Sequence, residues 1–128
     1  MPLELPKDIV ERIYAIGLAL PEVTVRIDPS QSGDRSTAHV FDIRRRPFCV
    51  LVARKSPTGR PVPLLVLRAD PDDRDALLST GSPFFAPRGA SDRIGVFLTK
   101  DTDWAEIREL VTDSYRILAP KKLSALLE

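Results

Sequence analysis

Apolar residues recur along this chain with two different periods, and each change of period marks an element. Ile9, Val10, Ile13, Ile16 and Leu20 return every three or four positions after Pro6, so residues 7–20 are expected to form an amphipathic helix closed by Pro21. Val23, Val25 and Ile27 then alternate with polar residues, the period of a strand, and Asp28-Pro29-Ser30-Gln31-Ser32-Gly33-Asp34 reads as a loop. Residues 37–43 and 47–53 are two further strands, expected to form a hairpin around Arg44-Arg45-Arg46-Pro47. Ser56–Pro61 makes the next connection. Val62–Arg68 is nearly all apolar, a pattern that suits burial on both faces, with Pro63 tolerated near the start.

The second half changes back to a helical period. Asp70-Pro71-Asp72-Asp73 opens a short helix to about Ser79, with proline in the first turn and acids at the positive end. Residues 80–92, rich in Ser, Gly and Pro, read as a loop, and Ile94–Leu98 is the last strand. Asp103 and Glu106 make a capping box for a helix whose Trp104, Ile107, Val111 and Leu118 share one face. Pro120 interrupts that helix and starts another carrying Leu123, Leu126 and Leu127. The order is αββββαβαα. Strands joined by short connections argue for an α+β fold, a single two-layer domain over residues 1–128 with a mostly antiparallel sheet packed with helices.

Composition narrows the class. A chain of 128 residues, 43% apolar and 29% charged, suits one core, with no repeat or linker to divide it. A single Cys excludes an internal disulfide, and one His beside it excludes an ordinary zinc site. The first residues lack the layout of a signal peptide, and no apolar run is long enough to span a bilayer. A soluble, cytoplasmic protein without a membrane partner is expected.

Catalytic signatures are missing. There is no G-x-G-x-x-G after a strand, no P-loop and no G-x-S-x-G elbow. Cys49 falls between Phe48 and Val50 in a strand, where a free Cys is usually a small buried hydrophobe. His39 shares strand parity with Phe41 and Ile43, and reads as a half-buried His with one hydrogen bond. Asp70, Asp72, Asp73 and Asp75 do not match a calcium loop and have a structural reading at a helix start. No enzyme, cofactor or metal site is expected. The remaining foothold for one is the Ser79-Thr80-Gly81-Ser82 segment, whose backbone N–H groups could cradle an anion.

Charge supplies the positive signal. The 19 basic and 18 acidic residues nearly cancel, but residues 35–60 carry Arg35, Arg44, Arg45, Arg46, Arg54, Lys55 and Arg60 against Asp42, a local net of +6. Residues 101–113 carry five acids against Arg108, a net of −4. Such segregation can orient a protein toward a polyanion. Arg44, Arg45 and Arg46 lie at one end of the third strand, with Arg54, Lys55 and Arg60 beyond the other, on the order of 20 Å apart. They could track a phosphate backbone as a stripe, but not grip one small anion together. The plainer reading is a solvated hairpin tip that discourages edge-to-edge aggregation.

Several segments resemble the MmcQ/YjbR-like family of small bacterial proteins. They are Trp104–Leu123 with its Ser114-Tyr115-Arg116 and Ala119-Pro120-Lys121 ending, Leu67–Pro71, Pro83–Pro87, and the Phe41–Phe48 hairpin. The early helix ending Ala19-Leu20-Pro21-Glu22-Val23 fits as well. Arg45 departs from the resemblance by standing where such proteins usually have Gly, and Arg68 stands where they often have Lys. His39 is one place out from the usual His, and residues 88–93 lack the usual aromatics. The resemblance implies a compact α+β fold similar to secretion-chaperone topology, and a DNA-binding label that rests on fold analogy.

The expected function is therefore a non-enzymatic binding module for duplex DNA. Arg44, Arg45 and Arg46 would probe the backbone, Arg54, Lys55 and Arg60 would flank it, and Lys121 and Lys122 would add secondary contacts. The alternative is a protein-interaction module, chaperone-like or self-associating, as a monomer or weak homodimer. An enzymatic reading would need a pocket joining Arg68, Tyr115 and Lys121.

Overall fold

The computed structural model describes residues 5–29 and 37–127. Helix α1 spans Lys7–Leu18 and turns Ile9, Ile13 and Ile16 inward at the expected helical spacing. Strands follow as β1 (Thr24–Pro29), β2 (Thr37–Ile43), β3 (Arg46–Lys55) and β4 (Pro61–Arg68). Helix α2 (Pro71–Thr80) leads to β5 (Phe84–Phe85), β6 (Arg93–Phe97), α3 (Trp104–Leu118), α4 (Lys121–Ser124) and a short 3-10 turn at Ala125–Leu127.

The six strands form one sheet in the order β1-β2-β3-β4-β6-β5, every neighbouring pair antiparallel. The architecture is the expected α+β domain. The chain order differs by one element, because β5 lies inside the expected 80–92 loop. Its two residues are too few to display a period, and only pairing with Gly95 and Val96 makes them a strand. Asp28 and Pro29 also extend β1 into the segment read as loop. Residues 30–34 of that loop, and Arg35, lie outside the described residues.

Helices α1 and α3 cover one face of the sheet. Phe41, Ile43, Cys49, Leu51, Leu65, Leu67, Ile94 and Val96 meet Ile13, Ile107, Val111 and Tyr115 there. Asp103 caps α3 by accepting from the backbone N–H groups of Ala105 and Glu106 at 3.1 and 3.2 Å. Arg12 of α1 lies 5.1 Å over the Trp104 ring at the start of α3.

The β2–β3 hairpin is tighter than its run of arginines implied. Ile43 pairs with Arg46, so Arg44 and Arg45 alone make the turn. Both have positive φ, 51° and 68°, as a type I′ turn requires, although neither is Gly, Asn or Asp. The register slips between Phe41 and Asp42, placing Phe48 as the extra residue of a bulge and Pro47 where a lost N–H is tolerated. Buried Ser114 secures this irregularity. Its hydroxyl donates to the Phe48 carbonyl at 2.5 Å and accepts from the Arg68 N–H at 2.8 Å, tying β3 and β4 to α3.

Candidate nucleic-acid interface

Strand alternation puts Val40, Val50, Val66 and Gly95 in one cross-strand row on the face away from α1 and α3. With Ala38 and Val52 these valines floor a trough of about 550 Å³. Its rim is arginine: Arg26 from β1, Arg54 from β3, Arg93 from β6 and Arg88 from the loop before β6, with Asp28 as the acid among the lining residues.

The four arginines are not equally free. Arg26 is held by Asp28 on its own strand and by buried Asp42, whose Oδ2 accepts from Nε at 2.8 Å. Arg54 stands 5.5 Å above the Phe85 ring, which stacks on Phe97 at 4.4 Å. Arg93 keeps only a 3.9 Å contact with Asp92, and its buried Nε has no hydrogen-bond partner among the described residues. Arg88 has no ion-pair partner among the described residues. Arg54, Arg88 and Arg93 are thus the charges positioned to meet an anion.

Arg93 sits directly opposite Arg68 in the β4–β6 ladder. Like charges opposite one another are unfavourable. Asp92 offsets the pair at 3.4 Å from Arg68 Nη1, and the Arg68 Nε donates to the Pro47 carbonyl at 3.0 Å. Burial first, then Arg93, pulls the Arg68 guanidinium pKa down, with Arg46 adding to the same trend. Sheet, bulge and loop here concentrate positive charge that one carboxylate serves.

The residues expected to form a wing are dispersed by comparison. Arg44 is engaged by Glu22 at 3.1 Å, close beside the hairpin turn. Arg45 and Arg46 are exposed at the turn, and Lys55 and Arg60 are exposed at the opposite end of β3. Of the six, only Arg54 lines the trough. Lys121 and Lys122 are exposed on α4 and do not join it.

The triad Arg68, Tyr115 and Lys121 is not assembled into one pocket. Arg68 lines a groove of about 640 Å³ between α2 and α3, together with Arg116, Asp70, Asp73 and Asp113. Tyr115 points elsewhere, donating to the Pro21 carbonyl at 2.8 Å and packing edge-on against Phe48. Burial raises its phenol pKa, and Glu22 adds to the rise. His39 is also occupied: its Nδ1 shares a hydrogen bond of 2.5 Å with the Tyr14 hydroxyl, and burial lowers its pKa. Among the described residues, no three His, Cys, Asp or Glu side chains are grouped to hold a metal ion, and no helix is long and apolar enough to cross a membrane.

A family model, YjbR, matches residues 18–117, which run from the end of α1 through nearly all of α3. The chain belongs to the YjbR family. No curated protein matches it. In this YjbR-family chain, Ser114 and Tyr115 of the Ser-Tyr-Arg segment are internal fasteners, and Arg116 alone of the three faces a groove. Arg26, Arg88 and Arg93 were the residues missed in the sequence. The parity of Arg93 with Gly95 and of Arg26 with Asp28 carried part of that signal. Nothing local announced Arg88, which the chain path brings to the rim.

Proposed function

We propose that this protein is a non-enzymatic module that binds duplex DNA through the uncovered face of its sheet. The supporting observation is the convergence of Arg54, Arg88 and Arg93, without strong acidic partners, around one trough. Guanidinium groups suit phosphate because their planar fork gives two parallel hydrogen bonds. The apolar floor carries few hydrogen-bonding groups, so the contacts are to backbone and the binding is weakly dependent on base sequence.

The test is fluorescence anisotropy of a labelled duplex titrated at several salt concentrations. Three backbone contacts predict a log–log salt slope of about −3. Arg88→Glu and Arg93→Glu should each abolish measurable binding while leaving the circular dichroism spectrum intact, and Arg45→Gly should leave affinity unchanged. No salt-dependent binding, or loss with the Arg45 variant alone, would overturn the reading. A second reading, an interaction module for an extended peptide, draws on the valine floor. Val50→Asp would then abolish peptide capture, and the arginine reversals would spare it.

A further inference from the structure

We propose that two copies of this chain pair through the outer edges of their β1 strands, continuing the sheet across a two-fold axis at Ile27. The inference is independent of any nucleic-acid role. Strand β1 is the first in the sheet and pairs with β2 on one side only, so its outer N–H and C=O groups face away from the sheet along six residues. It has no bulge in its register with β2, and its one proline stands at the last position. Among the described residues no strand pairs with this edge, and a regular unpaired edge is a template for another strand. The opposite edge, β5, is two residues long.

Apolar exposure gathers at the same margin. Ile27 is 60% exposed in mid-strand and Leu18 is 48% exposed at the end of α1. Leu18 lies one helical turn beyond Tyr14, whose hydroxyl bonds His39, the β2 partner of Ile27. The helix therefore presents Leu18 near the side from which Tyr14 reaches β2. An antiparallel neighbour would cover Ile27 with its own copy and bring the two α1 helices along the same side of the joined sheet.

Charge selects the register. Opposed residues must share a face, so the pairing can slide only in steps that keep parity. Centred on Ile27, it places Arg26 opposite Asp28 of the second copy, and the reciprocal pair forms by symmetry. Centred on Arg26 it opposes arginine to arginine, and centred on Asp28 it opposes aspartate to aspartate. Only the Ile27 register is electrostatically self-complementary, the condition an isologous interface must meet. The occupant is accordingly a second copy of this chain, not an unrelated strand.

Sedimentation equilibrium of the full chain over a wide concentration range tests this. The mass should rise from 14.2 kDa toward twice that value. Ile27→Lys and Asp28→Lys should each hold the chain at monomer mass with unchanged circular dichroism. Asp28→Lys leaves the Arg26–Asp42 pair in place, so its effect reads the interface and not the fold. Ile27→Cys should oxidise to a covalent dimer, because that position alone meets itself across the axis. Monomer mass at every concentration, or a dimer indifferent to both lysine variants, would overturn the proposal.

Discussion

One face of the sheet buries Phe41, Phe48 and Leu51 almost completely beneath two helices. The other leaves Val50, Val52 and Val66 half-buried between arginines. Both faces use the same device, an aromatic ring laid on a glycine. A Cβ at Gly17 would come within 2.7 Å of the Phe41 ring, and one at Gly95 within 2.3 Å of Phe85. What differs is the surroundings of the ring. Phe41 is fully enclosed and edge-on to Tyr14 at 5.1 Å, whereas Phe85 is half-buried on a two-residue strand with an arginine above it. The covered face spends its apolar area on stability, and the uncovered face keeps a surface that a partner can still reach.

The largest expected effect separates the two faces directly. Phe41→Ala should destabilise by ~3–5 kcal/mol, because its cavity is closed on all sides. Phe85→Ala should cost only ~1–2 kcal/mol, in proportion to the area it still hides from water. Equal costs in urea unfolding would mean the uncovered face is as rigid as the covered one.

A change at the hairpin tip should move stability the other way. Arg45→Gly relieves a left-handed non-glycine residue, with a gain of about 1 kcal/mol after the entropy of glycine is set against it. Duplex affinity should stay constant, which sharpens the distinction between the tip and the trough.

The smallest effect belongs to the margin of the covered face. Burial depresses the His39 pKa below its usual 6.5, so the unfolded chain takes up a proton that the native chain resists. The His39 contribution to stability is thus present above pH 6.5 and is lost as pH falls through its lower native value. His39→Gln should flatten that part of the acid dependence, measured as urea midpoints above and below pH 6.5. An unchanged slope would remove His39 as its source.

Helix α3 was legible because its cap and its apolar stripe are local: Asp103, Trp104, Ile107, Val111 and Leu118 carry the signal within 16 residues. Alternation likewise revealed β1, and the nearly unbroken apolar run of Val62–Arg68 revealed β4. The hairpin was misjudged in shape because Arg44 and Arg45 adopt a turn their residue type disfavours, held by the long β2–β3 ladder and the Glu22 ion pair. The candidate site was the least legible. Arg26, Arg54, Arg88 and Arg93 come from four separate segments, and only sheet order makes them neighbours. A count of local charge favours residues adjacent in sequence, and here those adjacent residues point to different places.

Cys49 lies wholly inside the covered face, opposite Phe41 on one side and Leu67 on the other, and burial raises its pKa well above that of a free thiol. The sole thiol of the chain is therefore an internal clock. An alkylating reagent can reach it only when β3 separates from the helices above, so the labelling rate times the opening of the core. No label need be added, and loosening the uncovered face alone would leave that rate untouched.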